Sequence, residues 1–128
     1  MDSQNACNCV LIVEDDPDIR ETLQHLLQSS GYEAPAAANG REALDLLGTI
    51  PRPCLVLLDL MMPVMDGWAF LTALDQNDSL ADVPIVIVSA YTDKAGTLER
   101  AQQVLKKPVD INALMEVVRQ HCGGPDPS

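Results

Sequence analysis

The chain has 128 residues, of which 47% are hydrophobic and 21% are charged, a balance that is ordinary for one globular domain. Its formal net charge of −11 disfavours direct binding to nucleic acids and to anionic membranes, which attract basic surfaces. No stretch is long and apolar enough to span a bilayer, and residues 1–8 lack the apolar core of a signal peptide, so a cytoplasmic location is expected.

Short apolar runs alternate with amphipathic segments along the chain, which predicts strands alternating with helices. The predicted strands cover residues 9–13, 32–36, 54–58, 83–88 and 104–107. The predicted helices cover residues 17–30, 40–47, 67–76, 92–101 and 110–121, the fourth being short and weakened by Gly96. This alternation predicts an α/β domain with a parallel sheet, right-handed crossovers and helices on both faces.

The helix starts carry local signals. Asp16 precedes Pro17, a pair that predicts an N-cap followed by proline at the first helical position. Asn39-Gly40 and Asp66-Gly67 begin the second and third helices in a similar way. Asp16 is therefore assigned a capping role rather than a role in binding a ligand.

The four cysteines are expected to be reduced thiols that serve mainly in packing. Cys54 lies within an apolar run, Cys9 begins another, and Cys122 ends the last helical pattern. Cys7 and Cys9 could form half of a metal site, but the sequence offers no second half.

Polar side chains follow the carboxyl ends of the predicted strands, where parallel sheets bind their ligands. They are Glu14, Asp15 and Asp16 after the first strand, Asp59 after the third, Ser89 after the fourth and Lys107 at the fifth. Crowded carboxylates require a cation or raise each other's pKa, and oxygen ligands of this kind suit Mg²⁺. Aspartate is also a nucleophile for phosphoryl transfer, and a hydroxyl and a lysine can contact phosphoryl oxygens. The sequence thus predicts a divalent-metal and phosphoryl site.

Four segments together resemble the receiver domain of two-component response regulators: residues 10–17 (VLIVEDDP), residues 57–67 (LLDLMMPVMDG), Ser89-Ala90 and Lys107-Pro108. The resemblance extends over about residues 9–121. It implies a flavodoxin-like fold, with a doubly wound five-stranded parallel sheet in the order 2-1-3-4-5. The receiver domain would cover residues 9–122, between a flexible N-terminus over residues 1–8 and a flexible tail or linker start over residues 123–128.

The resemblance also implies a phosphoacceptor and a metal site. Asp59 would accept a phosphoryl group from the phosphohistidine of a sensor histidine kinase or a histidine phosphotransfer protein. Mg²⁺ would be bound by Asp15, Asp59 and the backbone carbonyl of Met61, with Glu14 acting through water.

Two further site residues follow from the same resemblance. Ser89 would move toward the phosphoryl group, and Lys107 would pair with the acyl phosphate. The bond between Lys107 and Pro108 is expected to be cis, which would point the lysine inward. The output would be an altered contact with a downstream protein target rather than turnover of a substrate.

Two departures concern the output. The family usually has an aromatic residue where this chain has Val104, and a valine cannot make the inward swing of a ring. Lys107 lies only 18 positions after Ser89, which predicts a short or irregular fourth helix. The switching mechanism is therefore open, as is the question whether the chain acts alone or belongs to a longer regulator.

Two other functions compete with a phosphoacceptor. A small phosphatase or phosphomutase could also use an aspartyl phosphate, but such enzymes typically need a second acid at the position of Met61. A receiver-like module that is never phosphorylated would not need the full acidic set.

Overall fold

The structure is a computed structural model that describes residues 8–50, 53–60, 62, 64–78, 80–90 and 103–122. These residues form five strands and four helices: β1 (Val10–Val13), α1 (Pro17–Ser29), β2 (Ala36–Ala37), α2 (Gly40–Leu47), β3 (Leu55–Leu58), α3 (Gly67–Asp75), β4 (Ile85–Ser89), β5 (Gln103–Lys106) and α4 (Ile111–Cys122). The helix predicted over residues 92–101 lies outside the described residues. None of the helices within the described ranges has both the length and the apolar character needed to cross a bilayer.

The five strands form one parallel sheet in the order β2-β1-β3-β4-β5. This confirms the predicted doubly wound α/β fold. The pairing of β1 with β3 runs in register from Val10 opposite Leu55 to Val13 opposite Leu58. The two strands therefore end side by side, which determines where the polar residues that follow them lie.

The sheet is covered on both faces. Every residue of β1, β3 and β4 is buried. Along β1, Val10 and Ile12 pack into one apolar cluster with side chains of α1 and α4, while Leu11 and Val13 pack into a second with side chains of α2 and α3. Burial on both faces explains why these strands are continuous apolar runs rather than alternating patterns.

The predicted helix starts are confirmed. The carboxylate of Asp16 accepts hydrogen bonds from the backbone N–H groups of the first turn of α1, in which Pro17 is the first residue. Asn39 caps α2 and Asp66 caps α3 through the same kind of contact. Gly31 follows α1 with a φ of 95°, a left-handed conformation that glycine adopts without steric cost.

The second strand differs most from its prediction. Residues 32–36 were predicted, but β2 consists of Ala36–Ala37, with an isolated bridge between Cys9 and Glu33. The cause is Pro35, which has no N–H to donate and so interrupts the ladder beside β1. Its carbonyl still accepts a hydrogen bond from the Ile12 N–H at 2.9 Å, so the segment remains alongside the sheet edge.

Candidate functional site

The acidic residues after β1 and β3 converge because the two strands are neighbours. Val13 and Leu58 are the last paired residues, so Glu14 and Asp59 leave the sheet next to each other. The Asp59 N–H donates to the Val13 carbonyl at 2.9 Å, and the Glu14 N–H donates to the Ala37 carbonyl at 3.0 Å. The backbone of both acids is thereby fixed by the sheet.

Glu14, Asp15 and Asp59 form one carboxylate cluster. Each offers an oxygen, and these oxygens all lie within 4.8 Å of one another. Glu14 is only 2% exposed and Asp59 only 5%, whereas Asp15 is half-buried. Three oxygen donors at this spacing, one of them from a half-buried residue, fit a hard divalent cation such as Mg²⁺.

Lys107 is the cation that the described residues bring to this cluster. Its Nζ lies 2.8 Å from Glu14 Oε1 and 3.3 Å from Asp59 Oδ2. The peptide bond to Pro108 is cis, as predicted. Burial alone would lower the pKa of Lys107, but the hydrogen bond and charge of Glu14, together with Asp59, raise it above its ordinary value. Lys107 therefore stays protonated in the site.

Ser89 is the last residue of β4 and is fully buried. Its carbonyl accepts a hydrogen bond from the Lys107 N–H at 3.1 Å, which ties the end of β4 to the residue after β5. The two predicted site residues Ser89 and Lys107 thus lie at the same edge of the sheet. Met61, predicted to contribute its backbone carbonyl, lies outside the described residues.

The sequence interpretation missed Arg20. Its Nη1 donates to the carbonyl of Glu14 at 3.0 Å and reaches that of Asp15 at 3.4 Å, so α1 holds the backbone of the acidic loop. The only sequence signal was an arginine four residues after the helix cap Asp16, and an arginine in the first turns of a helix is common on exposed faces.

The sequence profile described as "Response regulator receiver domain" matches residues 10–119. The chain belongs to this family. The receiver is 33% identical over 119 residues to the polar-differentiation response regulator DivK of Brucella anthropi. This alignment covers 89% of this chain and 95% of DivK. It spans only 48–52% of the length of three other curated regulators that it matches.

Solved receiver structures share the fold. The response regulator TrrA of Thermotoga maritima, solved in complex with Mg²⁺-BeF, matches with a TM-score of 0.78 and 31% identity over 88% of this chain and 97% of TrrA. The receiver domain of the sensor histidine kinase PA1611 of Pseudomonas aeruginosa, solved with magnesium in its active-site cleft, matches with a TM-score of 0.81 and 25% identity over 93% of this chain and 100% of that domain. The protein is thus a receiver domain of two-component signalling, a class that works with histidine kinases.

Gly67 of the receiver lies against the backbone that carries Asp59. A Cβ there would come within 2.8 Å of the Asp59 carbonyl oxygen and of Leu60 Cα. Gly67→Ala is expected to lower the free energy of unfolding by about 1–3 kcal/mol, because the backbone must move to admit the methyl group. Urea unfolding measures this. The control is Gly48→Ala, whose Cβ would meet its nearest atom at 3.4 Å and should leave stability nearly unchanged; equal losses in both variants would contradict the prediction.

Glu14 gives the metal-free receiver a specific pH dependence. Burial raises its pKa from 4.5 to about 7; the charge of Asp59 adds to this rise, while contacts from Lys107 and the Asp16 N–H oppose it. Between these two pKa values the folded state binds a proton that the unfolded state has released. The contribution of Glu14 to the free energy of unfolding should therefore fall as pH rises from 4.5 to about 7, by an amount on the order of 3 kcal/mol.

The measurement is the difference in unfolding free energy between the wild type and Glu14→Gln at each pH, in the presence of a chelator. Glutamine does not titrate, so the difference isolates Glu14 from the other carboxylates. A difference that stays constant across this range would refute the predicted titration.

Proposed function

We propose that the receiver accepts a phosphoryl group on Asp59 from the phosphohistidine of a sensor histidine kinase or a histidine phosphotransfer protein. The observation that carries this proposal is the carboxylate cluster with the Lys107 ammonium 3.3 Å from Asp59 Oδ2. A nucleophilic carboxylate beside a fixed cation is the arrangement that phosphoryl transfer requires.

In the proposed reaction, an Asp59 oxygen attacks phosphorus, forming a P–O bond as the P–N bond of phosphohistidine breaks. The phosphoryl oxygens carry negative charge throughout, so the transfer depends on positioning and electrostatic stabilisation. Lys107 would contact these oxygens from its present place between Glu14 and Asp59, and the Ser89 hydroxyl would donate to them from the end of β4.

We propose Glu14, Asp15, Asp59 and the Met61 carbonyl as the protein groups around Mg²⁺. When bound, the ion would supply positive charge to the phosphoryl oxygens. The support from this chain is the donor set, with oxygens within 4.8 Å of one another. The structure suggests one revision of the predicted role of Glu14: its carboxylate is buried and contacts Lys107 directly at 2.8 Å, so it also holds the lysine in place.

The decisive experiment is incubation of the purified protein with Mg²⁺ and acetyl phosphate, followed by intact-mass measurement. A phosphoacceptor gains the mass of one phosphoryl group, and the gain disappears with a chelator. Continuous release of phosphate from generic phosphate esters would instead favour a phosphatase or phosphomutase. No gain at all would overturn the proposal and favour a receiver that is never phosphorylated.

We further propose that the output is a contact with a downstream protein rather than catalysis of a separate reaction. Val104 is partly buried and packs against the apolar cluster shared with α2 and α3, so a phosphorylation signal would act through packing of this cluster rather than through rotation of an aromatic ring. The nature of the downstream target and the cytoplasmic location stay predictions.

A further inference from the structure

Two cysteines meet at the end of the sheet opposite the acidic cluster. Cys54 immediately precedes β3, whereas Asp59 immediately follows it, so the length of that strand separates the two sites. Cys122 is the last residue of α4. The pair lies 68 residues apart in sequence but is brought together where α4 packs on the sheet.

The two sulfur atoms are unusually close for side chains that are not bonded. Cys54 Sγ lies 2.6 Å from Cys122 Sγ and 3.3 Å from the Cys9 carbonyl oxygen. For comparison, a disulfide bond is about 2.05 Å long, and non-bonded heavy atoms such as carbon normally stay about 3.5–4.0 Å apart. Neither cysteine takes part in a disulfide bond. Forming a bond between them would thus need little movement of either side chain.

We propose that Cys54 and Cys122 form a thiol modification site, at which a peroxide oxidises the pair to an intramolecular disulfide. The Cys122 thiol loses its proton and the thiolate attacks the peroxide; the O–O bond breaks to give a sulfenic acid and a hydroxide, which takes up that proton as the first water. The Cys54 thiol then ionises and attacks the sulfenic sulfur, forming the S–S bond as the S–O bond breaks, and the departing hydroxide takes up the Cys54 proton as the second water. Each peroxide thus consumes two thiols and yields one disulfide and two waters.

Access to this buried pair would come through the end of α4. Cys122 is 4% exposed and Cys54 is 7% exposed, so neither thiol is openly available. Terminal turns of helices open with little free energy, however, and Cys122 lies in such a turn. Opening there would admit a molecule as small as hydrogen peroxide, and reclosure would return the oxidised sulfur to Cys54.

The consequence of oxidation would be a covalent link between α4 and the start of β3. The link closes a loop through most of the domain, which constrains the unfolded chain and raises stability. Because the carboxylate cluster lies at the opposite end of β3, oxidation should leave it unchanged. The proposal therefore does not depend on phosphorylation of Asp59.

The test treats fully reduced wild-type protein with one equivalent of hydrogen peroxide, then denatures it and alkylates the remaining thiols. Alkylatable thiols are expected to fall from four to two, and the intact monomer should lose the mass of two hydrogens. A non-reduced peptide map should join the peptides that contain Cys54 and Cys122. A map that joins another pair, a disulfide-linked dimer, or retention of four thiols would overturn the proposal.

Variants provide the matched controls. Cys9→Ala should still form the disulfide, because Cys54 Sγ contacts the Cys9 backbone carbonyl, which alanine retains. Cys122→Ala should retain all three of its thiols or accumulate a singly oxidised cysteine, without loss of two hydrogens. The peptide map of the wild type decides the pairing even where a variant folds poorly.

Discussion

Asp59→Asn is expected to abolish the gain of a phosphoryl group from acetyl phosphate and Mg²⁺, with a loss of at least about 100-fold in the rate of adduct formation. Asparagine has nearly the same shape, but its neutral amide lacks the anionic oxygen that attacks phosphorus. Lys107 contacts Glu14 at 2.8 Å as well as Asp59 at 3.3 Å, so it keeps one carboxylate partner when Asp59 is replaced. The substitution therefore removes the proposed nucleophile from an otherwise intact pocket.

The loss of phosphorylation in Asp59→Asn should not result from a lower folding stability of the variant. Asp59 is buried beside Glu14, and replacing one of two neighbouring carboxylates with a neutral group relieves repulsion in the metal-free protein. The midpoint of urea unfolding of Asp59→Asn should therefore lie at a urea concentration at least as high as that of the wild type. A variant that is less stable than the wild type would point to a structural role for Asp59.

Asp16→Asn is the matched control for Asp59→Asn. Asp16 follows the same strand as Glu14 and Asp15, but its side chain caps α1, and asparagine is an equally good N-cap. This variant should accept the phosphoryl group at nearly the wild-type rate. A large loss would place Asp16 in the site, and a normal rate for Asp59→Asn would show that phosphorylation occurs elsewhere.

The fold was predictable because its signals are local and its sheet is parallel. The run over residues 10–13 is apolar throughout, as expected of a strand buried on both faces. Its pairing with β3 follows from the strand order, which came from the resemblance to receiver domains and not from the local pattern. Once β1 and β3 are neighbours, Glu14 and Asp59 must meet, since each follows the last paired residue of its strand. The convergence of the acids was therefore a consequence of topology.

The remaining features depend on packing between distant segments, which local patterns do not reveal. The thiols of Cys54 and Cys122 were expected mainly to pack, because nothing in either segment indicates where α4 ends over the sheet. Arg20 was missed for a similar reason: its target is a backbone carbonyl, and any residue type offers one. The burial of Glu14 was also unexpected, because a loop carboxylate is normally solvated.

Lys107→Met is expected to lower the unfolding free energy of the metal-free receiver by about 3 kcal/mol at pH 8, near the lower end of the range for breaking a buried ion pair. The lysine contacts both Glu14 and Asp59, and its removal leaves two buried carboxylates without their cation. The lower end applies because the Lys107 side chain is itself 18% exposed, which allows some solvent to compensate.

Mg²⁺ should restore more stability to Lys107→Met than to the wild type, because a divalent cation replaces the missing charge between the carboxylates. Urea unfolding with Mg²⁺ and with a chelator measures both effects. Lys106→Met is the control: Lys106 is the exposed neighbour, and its loss should change stability by less than about 0.5 kcal/mol under either condition. If both lysine variants behave alike, or if Mg²⁺ stabilises Lys107→Met no more than the wild type, then Lys107 is not the cation that balances this cluster.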